Sequence, residues 1–136
     1  MERIIIEIIK KYIEVDLIYL FGSFLTVNYN EESDIDIAVL AKNRIEKEVF
    51  IKIKMELTKE TEREIDLIDL WESNPILDKE ILFKGKNIYK KSEEVKLEFE
   101  YRKIALATQY SDDVKVVIDK IKERGYIYER GSLSKN

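Results

Sequence analysis

The sequence predicts an α+β chain: a small β-sheet covered by helices, then a mostly helical second half. Three observations predict it. Val15 to Phe21 and Asp34 to Leu40 are largely apolar runs of strand length, the first closed by a turn at Gly22-Ser23. Apolar residues recur at helical spacing before the first run and after the second. Beyond Leu70 the pattern becomes almost wholly helical.

In chain order, Ile4, Ile5, Ile8, Ile9, Tyr12 and Ile13 line one face of a helix over residues 2–14, with Glu and Lys between them. The first strand follows and ends at Gly22-Ser23. Residues 24–33 show no clear period and suit a short helix or an irregular loop. Asp34 to Leu40 is the second strand, with Ile35, Ile37 and Val39 on one face. Ile45, Val49, Ile53 and Leu57 recur every four residues, so a long helix covers 44–61. Glu64 to Leu70 is the third strand. Asn74 caps a helix with Pro75 at its first position, and Gly85 ends it. Ile88-Tyr89 is a short extended piece, which leaves a three-stranded sheet dependent on its helical cover. Ser92 caps a further helix, with Glu93 and Glu94 at its positive end. A last helix spans about Asp112 to Arg124, with Val114, Val117, Ile118 and Ile121 inward.

Composition narrows the chemistry. The 136 residues fit one domain of ordinary size, and 45% are hydrophobic, enough for a real core. There is no Cys and no His, so thiol nucleophiles, Ser-His-Asp triads, common zinc sites and histidine switches are excluded. Any metal must sit on carboxylate oxygens, which favours Mg²⁺, Mn²⁺ or Ca²⁺. A net charge of −4 argues against direct binding of nucleic acid. No apolar stretch reaches the ~18 residues of a membrane span, and a cytoplasmic location is expected.

Three features at strand ends carry the chemistry. Gly22-Ser23 offers a tight turn whose N–H groups and hydroxyl suit an anion such as phosphate. Asp34 and Asp36 stand two apart on a strand and project from one face, where mutual repulsion calls for a cation. In the third strand Asp66 and Asp69 are three apart, so they point to opposite faces and only one joins the pair. Three carboxylates beside such a turn suit metal-assisted phosphoryl or nucleotidyl transfer. Two Mg²⁺ about 4 Å apart would activate the attacking oxygen and steady the leaving pyrophosphate.

Gly22-Ser23, ten intervening residues, then Asp34-Ile35-Asp36 resembles the Gly-Ser-x10-Asp-x-Asp signature of the minimal nucleotidyltransferases in the DNA polymerase beta-like superfamily. Ile65-Asp66-Leu67 matches that family's third, strand-borne aspartate. Glu80 to Tyr89 and Glu98-Phe99-Glu100 are similar to the C-terminal half of the MntA-type antitoxins. The resemblance implies a mixed-sheet nucleotidyltransferase fold that uses ATP and Mg²⁺. It implies a single domain over 1–136, with a catalytic core over about 1–90 and a helical C-terminal extension over about 91–136. It makes Asp34 and Asp36 metal ligands, Asp66 the third acid that helps activate the acceptor hydroxyl, and Gly22 and Ser23 phosphate contacts. Its MntA type neutralises a HEPN toxin (HepT) by transferring AMP units to a tyrosine. Thr26 and Val27 depart from the pattern, standing where members often carry Arg and Gly. A cation for the triphosphate is therefore missing from its expected place.

Two other functions fit the same acids. A noncatalytic antitoxin would mask a basic toxin face with them. A nucleotidyltransferase could instead modify a small molecule or a nucleic acid end. Asp69 reads as a solvent- or helix-facing acid with a salt-bridge partner, and Trp71 as core or a cap over the sheet edge.

Overall fold

The computed structural model describes residues 1–22 and 34–107. The expectations for Ser23, for residues 24–33 and for the helix over 112–124 lie outside the described residues. The elements are α1 (Glu2–Tyr12), β1 (Val15–Phe21), β2 (Ile35–Ala41), α2 (Lys47–Thr61), β3 (Ile65–Asp69), α3 (Pro75–Lys84), β4 (Lys86–Lys90) and α4 (Glu93–Ala107).

The sheet has four strands in the order β3-β2-β1-β4, one more than the sequence predicts. β1 runs antiparallel to both β2 and β4, whereas β2 and β3 are parallel, so the sheet is mixed. A parallel pair needs a crossover of a dozen or more residues, and α2 supplies it. The extra strand is the extended piece around Ile88-Tyr89, lengthened to five residues by pairing with β1. Its polar, half-buried sequence gives little strand signal, because its backbone partners rather than its side chains hold it in place.

Both sheet faces are covered, which explains why β1 and β2 read as almost continuous apolar runs. Ile18, Leu20, Ile35, Ile37 and Val39 pack with Ile5, Ile9, Ile53 and Leu57 of α1 and α2. Leu17, Tyr19, Ala38 and Leu40 pack on the other face with Ile81 and Leu82 of α3 and Phe99 and Ile104 of α4. Buried polar groups fasten that second layer. The Tyr19 hydroxyl donates to Glu100 at 2.5 Å, and Lys103 lies 3.3 Å from the Asp78 carboxylate. The Asn74 side chain accepts from the Leu77 N–H at 2.9 Å, which starts α3 where the sequence places it. Among the described residues, no helix is long and apolar enough to cross a membrane.

Asp69 corrects the sequence reading. It is buried, and its carboxylate takes two backbone N–H groups rather than a cation: Ile45 at 2.9 Å and Trp71 at 2.9 Å. That bond holds Ile45 ahead of the helix, so α2 begins at Lys47, later than its apolar period suggests. The Trp71 indole N–H donates to the Ala41 carbonyl at 2.8 Å, so this exposed ring lies against the end of β2, an interior strand, rather than in the core or over the sheet edge. Replacing Asp69 with Ala orphans both donors and is expected to lower stability by about 3 kcal/mol. Equilibrium urea unfolding measures this, and a loss below about 1 kcal/mol would contradict the structural role.

Candidate active site

The chemistry collects where β1 ends and β2 and β3 begin. In β2, Ile35, Ile37 and Val39 face α1 and α2, so Asp36 and Ala38 face the α3/α4 side. Asp34, one residue before the strand, continues that alternation and is exposed. In β3, Ile65 and Leu67 face α1 and α2, which turns Asp66 to the same side as Asp36. The parallel register sets Asp36 directly against Asp66, and the antiparallel register sets Phe21 against Asp36. Two carboxylates thirty residues apart in sequence are thereby neighbours on one face.

Gly22 ends β1 with φ +79°, the left-handed region that glycine adopts at least cost. A Cβ built on it would sit 1.9 Å from Asp36 Oδ2. The bare Cα of Gly22 is therefore the wall against which the Asp36 carboxylate rests.

Asp36 keeps its proton well above the usual carboxylate range. Burial contributes most, then the charges of Asp66 and Asp34, a side-chain hydrogen bond with Asp66 and the charge of Glu80, raising it from 3.8 to about 6. Negative charge is concentrated here, with Asp34, Asp66 and Glu80 all acting on Asp36. The donors are all oxygens, the set a hard divalent cation prefers. Among the described residues, no three acids are already gathered into a finished metal cage. Magnesium does not require one, since it is usually held by one or two carboxylates together with water and substrate phosphates. The residues present fit that ion.

Asp36 and Asp66 come together as the sequence predicts, with Asp34 near enough to act on Asp36 and with Gly22 beside it. Ser23 lies outside the described residues. Asp69 is excluded from the cluster by its position on the opposite face and its two backbone bonds. Sequence reading missed Glu80, an exposed residue of α3 whose charge reaches Asp36. Nothing in its local pattern marks it, because its approach depends on how α3 lies across the sheet. A cleft of 460 Å³ lined by Leu40, Leu70, Trp71, Phe99 and Arg102 lies at the far end of the strands and contains none of the predicted site residues. Its Leu40 is four residues along β2 from Asp36, roughly 13 Å away.

The chain as a whole is similar to characterised proteins. The chain is 27% identical over 121 residues to the protein adenylyltransferase MntA of Shewanella oneidensis, spanning 88% of this chain and 86% of that protein. It superposes with a TM-score of 0.72 on a crystal structure of a toxin-antitoxin with AMP-PNP, at 27% identity over 89% of this chain and 98% of the other. A tri-AMPylated Shewanella oneidensis HEPN toxin in complex with its MNT antitoxin gives a TM-score of 0.71, at 26% identity over 89% of this chain and 95% of the other. Residues 3–94, well over half the chain, match the family described as polymerase beta nucleotidyltransferase, and the chain belongs to that family.

Proposed function

We propose that this protein is an antitoxin nucleotidyltransferase that moves AMP from ATP to a tyrosine hydroxyl of a HEPN-type toxin. The observation that carries the reading is the pairing of Asp36 with Asp66 across parallel strands, against the bare Cα of Gly22. The likeness to MntA and to an AMPylated toxin complex supports the choice of donor and acceptor.

Asp34, Asp36 and Asp66 would hold Mg²⁺, which when bound supplies positive charge to the triphosphate and acidifies the acceptor hydroxyl. The chain's own contribution is placement. The β1 turn at Gly22 sets the Asp36 carboxylate, and the parallel register sets Asp66 beside it. Asp66 is exposed on its strand, accessible to an incoming hydroxyl whose proton it helps remove. The tyrosine oxygen bonds to the α-phosphorus as the bond to the bridging oxygen breaks, and pyrophosphate leaves.

The test uses the full chain, a HEPN-type toxin, Mg²⁺ and ATP labelled at the α-phosphate. Label is expected on a toxin tyrosine, lost in EDTA and restored by excess Mg²⁺. Transfer that persists in chelator would remove the metal from the reading. A stable complex in which no label is transferred would make the protein a masking module instead.

A further inference from the structure

Residues 23–33 contain no Lys or Arg, so a cation for the distal phosphates of a nucleotide has to come from another element. The fold brings one to the same end of the sheet from another element. α3 ends at Lys84 and β4 begins at Lys86, which pairs with Leu20 near the site end of β1. The junction is tight: a Cβ on Gly85 would lie 3.2 Å from the Leu20 carbonyl oxygen. The last turn of α3 therefore lies at the end of β1 that carries Gly22.

Within that turn, Glu80 and Lys84 are four residues apart and share a helix face. Lys86 is level with Leu20, two residues short of Gly22, and Phe21 is level with Asp36, so the turn that carries Lys84 lies at the end of the sheet that holds the acids. Helical side chains lean toward the preceding turn, which inclines the Lys84 stem toward Glu80 and the site. Lys84 is exposed and has no acid partner among the described residues. Its neighbours in sequence are otherwise engaged: Lys86 pairs with Glu2 at 2.7 Å, and Lys79 lies over the Phe83 ring at 5.8 Å.

We propose that Lys84 binds the β- and γ-phosphates of the nucleoside triphosphate, supplying from α3 the positive charge that residues 23–33 do not carry. This rests on the reading of the site as a nucleotidyltransferase centre. Such a lysine acts on the leaving pyrophosphate and not on the α-phosphate, so its effect depends on the length of the phosphate chain.

The experiment titrates the full chain with α,β-methylene-ATP and with AMP, in Mg²⁺, by calorimetry. Lys84→Gln is expected to weaken the triphosphate about tenfold while leaving AMP within about twofold. Lys84→Arg is expected to restore most of that affinity. Lys91→Gln is the control, because the Lys91 N–H donates to the Asp16 carbonyl at the opposite end of β1 and its side chain is exposed there. Unchanged triphosphate affinity in Lys84→Gln would overturn the proposal, and so would an equal loss for both nucleotides, which marks a structural role. If the wild-type chain binds neither nucleotide, the nucleotidyltransferase reading itself fails, a result distinct from a failure of Lys84 alone.

Discussion

Asp36→Asn is expected to cut AMP transfer by at least a hundredfold while the metal-free fold stays at least as stable as the wild type. The first half follows from position. Asp36 stands at the centre of the acids, opposite Asp66 in the sheet and two residues from Asp34. Asparagine keeps the shape but loses the charge a divalent ion needs. The second half follows from the sign of the pKa shift. A carboxyl raised from 3.8 to about 6 in the fold prefers its protonated form there. Its ionisation does not oppose folding below about pH 3.8, opposes it increasingly from there to about pH 6, and opposes it fully above. At pH 7 in EDTA, asparagine removes that opposition. Thermal melts at pH 7 with chelator, beside transfer assays with Mg²⁺, measure both effects. A variant with near-normal transfer would remove Asp36 from the metal site, and a melting temperature well below wild type would show that its charge supports the fold.

The parts of this site legible in the sequence are those set by local rules. Alternation along a strand places Asp34 and Asp36 on one face, and it separates Asp66 from Asp69 without any knowledge of neighbours. The helices are legible because apolar residues such as Ile5, Ile9, Ile53 and Leu57 recur at a helical period and are buried. What escaped depends on contacts between distant segments. β4 is a strand because β1 offers it an edge, and its own residues are half-exposed and polar. The role of Asp69 depends on the arrival of Ile45 and Trp71, which no period announces. Glu80 belongs to the site's field only through the packing of α3.

Gly22→Ala is expected to reduce transfer about a hundredfold with only a modest loss of stability. Two effects act together. Alanine at φ +79° incurs roughly 1 kcal/mol or more of backbone strain. Its Cβ would also occupy space 1.9 Å from Asp36 Oδ2. The obstructed atom is the end of a flexible side chain, so Asp36 swings away and the core stays largely intact. Displacing a reacting group by about 1 Å is enough for a hundredfold loss. A double-mutant cycle tests the mechanism. If Gly22 acts by seating Asp36, Gly22→Ala adds little to the Asp36→Asn variant. Fully multiplicative losses would mean that the glycine serves another purpose, such as direct contact with phosphate.

The side-by-side placement of Asp36 and Asp66 has a bearing on when the protein first becomes competent. These partners are separated by all of α2 and meet only once the crossover from β2 to β3 has closed. A chain emerging from the ribosome thus carries only half of this acid pair until its third strand docks. Acquisition of nucleotide affinity during refolding should coincide with that long-range closure and lag behind the appearance of helix.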